Sequence, residues 1–365
     1  MDATGLDLSG TWRAAIADDD LRRAWQDDAF DAGGWEAVTV PGHWRSTPAF
    51  ADTDGPLLYR HDFATHGPTA DRRAWLTFDG LFYQGDMWLD GAYLGATEGY
   101  FAPHTFEVTD ALRARAEHHL GVEVTCSRPT DLTAKRNITG VFQHWDCLDP
   151  DWNPGGLWRG VRLSETGPVR IARLRVLCRE ATPERAVVVL RATLDSAGAR
   201  VVTLDTRLGG LEQRVDQPLA DGPNEVEWAV VVDRPELWWP RALGAPTLHD
   251  LSVAVHTPLS EGGTRSDTRH LRTGLRQVRT RSWITSVNGE RLFLKGSNHG
   301  PTRMALAEAT PEELVRDVTL ATEAGLDFLR IHAHITRPEL YDAADEQGLL
   351  LWQDFPLQWG YARGV

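Results

Sequence analysis

At 365 residues the chain is long enough for two or three domains with cores of their own. A formal charge of −14 argues against nucleic acid or an anionic membrane surface as partner, because both recruit clustered Lys and Arg. The sequence holds no apolar run of bilayer length, and its acidic start, Met1–Gly10, lacks the apolar core of a signal peptide, so a cytoplasmic chain is expected.

From the N-terminus, short Val/Leu/Thr/Trp runs alternate with Gly, Pro and Asp, the texture of β-sandwiches. Leu8–Trp12 and Val38–Trp44 frame an opening meander, and Ala74–Gly80 reads as a strand. Asp86–Leu89 turns at Asp90-Gly91 into Tyr93-Leu94, and an Asp-Gly pair between alternating runs is a strong hairpin signal. Leu120–Cys126 is a further strand, and the strand-poor excursion Ser127–Gly156 follows it. Loops of that length inside a compact domain are usually functional or disordered, and the aromatic, Gly and Pro content here favours order. Leu157–Leu163 resumes the sandwich and Gly167-Pro168 marks a boundary. From Val169 to about Gly274 the pattern predicts roughly seven strands, among them Ala186–Leu194, Val201–Arg207 and Val226–Val232, immunoglobulin-like in size and texture.

The last stretch reads strand, helix, strand, helix, strand: Leu292–Gly296, Thr310–Ala324, Leu326–His332, Thr336–Gln347 and Leu349–Trp352. Thr310-Pro311-Glu312-Glu313 has the form of a capping box, and Thr336-Arg337-Pro338-Glu339 repeats it, with Gly325 and Gly348 as terminators. This order implies a parallel sheet, the first three units of a (β/α)8 barrel whose full form needs roughly 250 residues. An incomplete barrel is therefore expected in this chain.

In such sheets the reacting groups lie at the carboxyl ends of the strands. Alternation puts Phe328, Arg330, His332 and His334 on one face of the second strand, toward the mouth, and Leu329, Ile331 and Ala333 on the other. An Arg there can hold a carboxylate, and His can bond sugar hydroxyls. Ser297-Asn298-His299 and Gln353-Asp354-Phe355 sit at the other two strand ends, so Asn298 and Asp354 join Arg330 and His332 as candidate contacts. His-x-His is also a metal-ligand spacing, but its remaining ligands would have to come from later strands. Asp354 reads equally as a buried acid paired with Arg330. No second carboxylate completes a glycosidase pair. Cys126, Cys147 and Cys178 show no disulfide or zinc spacing, and no glycine loop for a phosphate cofactor is present. Fifteen tryptophans are many; sandwiches use Trp as core filler, and the same flat faces suit sugar rings.

Several separate motifs resemble glycoside hydrolase family 2, the group of β-galactosidases, β-glucuronidases, β-mannosidases and exo-β-glucosaminidases. Phe78-Asp79-Gly80, Asp90-Gly91 and Gly99–His104 resemble its sugar-binding jelly roll, and Gly156–Arg159 its closing strand. Leu237-Trp238-Trp239-Pro240 resembles its immunoglobulin-like domain, and Leu294–Asn298, Arg330 and Trp352–Phe355 its barrel. The resemblance covers essentially the whole chain and implies a mainly β, multidomain fold. Residues 1–167 would form the jelly roll, 168–276 the immunoglobulin-like sandwich and 277–365 the start of the barrel. Trp352–Phe355 and the Trp145-Asp146 pair look closest to the β-mannosidase and exo-β-glucosaminidase branch, although Arg330–His334 departs from its usual sequence. By that similarity Trp145, Asp146, Arg330 and Asp354 contact a β-glycoside. The implied chemistry is retaining hydrolysis, without cofactor or metal, by two Glu that follow the fourth and seventh barrel strands. The chain alone is then expected to be inactive unless the remainder of the barrel is supplied. A non-catalytic carbohydrate-binding protein is the alternative.

Overall fold

The computed structural model describes residues 5–128, 137–143, 152–258 and 263–357. They form mainly β structure in several sheets with few helices. The first two sheets are antiparallel and share one core. The six-stranded sheet runs Glu36–Val40, Gly10–Ile16, Leu57–Ala64, Glu117–Thr125, Gln84–Leu89, Ala92–Glu98 in spatial order. The four-stranded sheet runs Leu6–Asp7, Val161–Thr166, Arg73–Phe78, His104–Glu107. Alternation drives the burial: along Gln84–Leu89 every second side chain is buried, so Met87 and Leu89 face the core. Trp12, Phe78, Phe82, Tyr100 and Trp158 fill that core. The Asp90-Gly91 hairpin is borne out, with φ of 53° and 76° at the two turn residues.

Seven strands follow between Val169 and Thr273 among the described residues, as the sequence pattern predicts. Val169–Ala181, Arg185–Ser196 and Gly222–Asp233 make one sheet. Leu211–Leu219, Arg200–Leu208, His249–His256 and Arg265–Thr273 make the other. Val188, Leu190, Leu204, Trp228 and Val253 are buried between them. After this, Val278–Arg281, Ile284–Val287 and Glu290–Leu292 build a small antiparallel sheet of their own.

The third core sits under a parallel three-stranded sheet, Gly296–His299, Phe328–Ile331, Leu350–Gln353, with Pro311–Glu323 and Pro338–Gln347 as the crossover helices. Leu329 and Ile331 pack with Leu314, Val318, Leu340 and Ala344 of the helices, the face expected for them. Two expectations are corrected here. The first parallel strand is Gly296–His299, not Leu292–Gly296: Leu292 ends the preceding antiparallel sheet, and Phe293 is 83% exposed. The Thr310 capping box forms with Glu313, but Thr336 caps nothing; the second helix starts at Pro338, with Arg337 at the N-cap and no side-chain bond. Proline favours the first helical position, which makes the residue before it the cap, and at 337 that residue is Arg.

Candidate functional site

Register places Asn298, Arg330 and Trp352 side by side across the three parallel strands, on the face turned away from the helices. The chain then leaves each strand at its carboxyl end, where parallel sheets collect their sites. Arg330 grips Asp354 with two bonds, Nη2 to Oδ2 at 2.7 Å and Nε to Oδ1 at 3.1 Å. Its Nη1 reaches Asn298 Oδ1 at 3.5 Å. The Ala333 amide donates to Asp354 Oδ2 at 3.3 Å, and His332 Nδ1 stands 3.4 Å from the same oxygen. Burial opposes charge on Asp354, but the Arg330 guanidinium and the Ala333 N–H outweigh it and hold the carboxyl below its ordinary range. A fixed carboxylate flanked by a half-exposed guanidinium, an amide and an imidazole is a hydrogen-bonding floor suited to a polyhydroxylated ligand.

Four of the six residues singled out by sequence, Asn298, Arg330, His332 and Asp354, therefore meet in one place. Trp145 and Asp146 lie outside the described residues. His334 does not join the mouth as alternation predicts. Ala333 takes φ of 46°, which breaks the two-residue period, and the His334 side chain turns inward, fully buried. Its Nδ1–H donates to His332 O at 2.9 Å, its ring lies 6.0 Å from that of His299, and burial pushes its pKa down to about 4. His299 in turn bonds Asp317 of the first crossover helix through Nε2 at 3.0 Å, and Thr302 donates to the same carboxylate oxygen at 2.7 Å. Among the described residues no group of three or more His, Cys, Asp or Glu converges as a metal site.

The first unit closes on these strand ends. Tyr100 Oη accepts the Ile335 N–H at 2.8 Å, and the Val141 amide donates to Ala333 O at 3.1 Å. Phe142 meets the His334 ring edge-on at 6.1 Å, and Phe101 meets Phe355 at the same separation. Gly140 is pressed so close that an added Cβ would lie 1.9 Å from Ala333 O. His43 bonds the backbone at Pro154 and at Ala307. Sequence reasoning assigned none of the first-unit residues His43, Tyr100, Phe101, Gly140, Val141 and Phe142 a part in the site. The partners are up to 264 residues apart along the chain, and local patterning carries no signal at that range.

Residues 52–158 match a family model described as glycosyl hydrolase 2 galactose-binding domain-like. An exo-β-D-glucosaminidase of Streptomyces avermitilis is 28% identical over 322 residues, which is 82% of this chain and 34% of that protein. β-Mannosidase B of Emericella nidulans is 26% identical over 328 residues, 81% of this chain and 38% of that one. The chain thus spans about a third of the length of the curated relatives it matches. In fold, the β-D-mannosidase of Dictyoglomus thermophilum superposes with a TM-score of 0.79 at 21% identity, covering 98% of this chain and 47% of its own. The resemblance read from the sequence is matched: residues 52–158 fit the glycosyl hydrolase 2 galactose-binding domain-like model, and the chain is similar in sequence to exo-β-D-glucosaminidases and β-mannosidases and in fold to a β-D-mannosidase.

Proposed function

We propose that this chain is the sugar-handling, N-terminal portion of a retaining exo-β-glycosidase of the β-mannosidase and exo-β-glucosaminidase type. In this reading residues 1–167 are the jelly roll, 168–276 the immunoglobulin-like sandwich and 277–365 the opening of a (β/α)8 barrel. The single observation that carries it is the Arg330–Asp354 pair, with Asn298 and His332 beside it, at the carboxyl ends of parallel strands and under the first unit. Retaining hydrolysis needs two carboxyl groups about 5–5.5 Å apart. Among the described residues of the strand ends Asp354 is the only carboxylate facing the mouth, and its bonds to Arg330 occupy it. Asp354 therefore orients substrate hydroxyls, with Arg330 holding it in place, and the acid/base and nucleophile Glu belong to strands outside this chain. Trp145 and Asp146 remain candidate contacts to the same sugar, on the resemblance alone.

The test is to assay p-nitrophenyl β-D-mannoside and β-D-glucosaminide with the chain alone and with the chain fused to the C-terminal part of the Emericella nidulans β-mannosidase B. No turnover is expected alone, and turnover lost on Asp354→Ala is expected in the fusion. Hydrolysis by the chain alone would overturn the reading.

A further inference from the structure

We propose that His43 is a positioning residue of the strand-end site, tying the loop after the first parallel strand to the first unit. The proposal rests on the reading of those strand ends as a sugar site. His43 belongs to the stretch that follows the strand Glu36–Val40. Gly42 N donates to Leu157 O at 2.7 Å and Trp44 N to Gly155 O at 2.9 Å, so the backbone on both sides of His43 is fastened to residues 155–157. The ring is 97% enclosed (3% exposed) and wedged between Phe82 at 5.9 Å and Trp152 at 5.3 Å.

Its two nitrogens face opposite kinds of partner. Nδ1 lies 2.6 Å from Pro154 O, which can only accept, and Nε2 lies 3.2 Å from the Ala307 N–H, which can only donate. Both are satisfied by one species, the neutral imidazole protonated at Nδ1. Burial favours that neutral form, pushing the ring's pKa down to about 4. Glu308, whose charge opposes the effect of burial on the ring, accepts from Ser46 Oγ at 2.7 Å and so adds a second tie between the same two segments.

The consequence lies in what Ala307 belongs to. Residues 300–310 lead from the first parallel strand to its crossover helix, and such loops line the carboxyl edge of a parallel sheet. The near end of this loop is pinned to the helix by His299 and Thr302 on Asp317. The far end is pinned by His43, which seats Leu306 in the first unit's core. Ala333 enters the same core, and its amide holds Asp354. Through this packing the orientation of one imidazole sets the spacing between the first unit and the Arg330–Asp354 floor.

The experiment uses the full chain and three variants. His43→Phe keeps a ring without either bond. His43→Gln can reach Ala307 and His43→Asn can reach Pro154. In the unsubstituted protein, long-range proton–nitrogen spectra of histidine-labelled material should show the His43 ring, assigned by its loss in His43→Phe, protonated at Nδ1 and not titrating between neutrality and mild acid. Amide exchange at residues 305–309 and 152–157 should rise about tenfold in His43→Phe. The strand Gly10–Ile16 should be unchanged, and His43→Gln should restore protection at 305–309 only. Quenching of tryptophan fluorescence by methyl β-D-mannoside or D-glucosamine should weaken by about tenfold in His43→Phe and recover in part in His43→Gln. Unchanged exchange, a His43 ring protonated at Nε2, or loosened segments with undiminished quenching would each overturn the proposal. No quenching in the unsubstituted chain would fall on the sugar-site reading and not on the tie, which the exchange data decide by themselves.

Discussion

At the scale of single residues, two buried histidines and one carboxylate of this region contribute to the molecule's acid response. His43 and His334 are held near a pKa of about 4 by burial, below the ordinary 6.5. Between those values the unfolded chain binds protons at these two rings that the folded chain refuses, so their contribution to stability falls as pH drops from about 6.5 to about 4 and is constant above that window. Asp354 acts lower: its depressed pKa stabilises the fold above the unfolded value and is lost as pH falls through it. Thermal melting followed across this range should show Tm declining well before the carboxylates titrate, and His43→Gln should flatten part of the decline. Asp354→Asn keeps the shape but leaves Arg330 without its counter-charge; since Arg330 is 40% exposed, the expected loss is only about 1 kcal/mol in denaturant unfolding, with sugar binding lost. Arg330 and Asp354 were legible because strand alternation and strand-end position are local properties. His334 was not, because the left-handed turn at Ala333 that reverses its direction is held by hydrogen bonds from distant segments: the Ala333 N–H donates to Asp354 and its carbonyl accepts from the Val141 N–H.

At the scale of elements, the two crossover helices begin alike in sequence and differently in fact. Thr310 accepts from Glu313 N and the Glu313 side chain returns to Thr310 N, so Thr310→Ala should cost about 1 kcal/mol. Thr336 has its hydroxyl buried without a hydrogen-bond partner, so Thr336→Val should be neutral or raise stability by about 0.5 kcal/mol; chemical denaturation of the two variants side by side checks both. Gly348 ends the second helix at φ of 71°, and a Cβ there would stand 2.8 Å from Arg241 N, so Gly348→Ala should be costlier than the loss of the Thr310 cap. Both helices were readable from their Gly stops and apolar spacing. The first parallel strand was misplaced because its residues, Gly-Ser-Asn-His, lack the apolar run that usually marks such a strand. The neighbouring Leu292-Phe293-Leu294 supplies that run without using it for the parallel sheet.

At the scale of the whole molecule, the helix-free face of the parallel sheet is open. Trp352 is 54% exposed and Trp283 91%, and both line a cleft of about 640 Å³ together with Trp238, Phe328 and Leu350. Apolar surface of that kind seeks cover. The chain by itself should bind a hydrophobic dye and associate reversibly in sedimentation experiments, and Trp352→Lys should weaken both. The sheets and their order of cores were legible from turn signals and periodicity, whereas the closure of the first unit on the strand ends was not, since it rests on contacts such as Tyr100 with Ile335, 235 residues apart. The contact of Gly140 with the Ala333 carbonyl bears on how such a protein can be rebuilt. Only a residue without a side chain fits there, so the first unit and the parallel unit can be traded between relatives only with that glycine kept. A chimera that joins them from two parents would retain its site only where the donor of the first unit also brings glycine at that position.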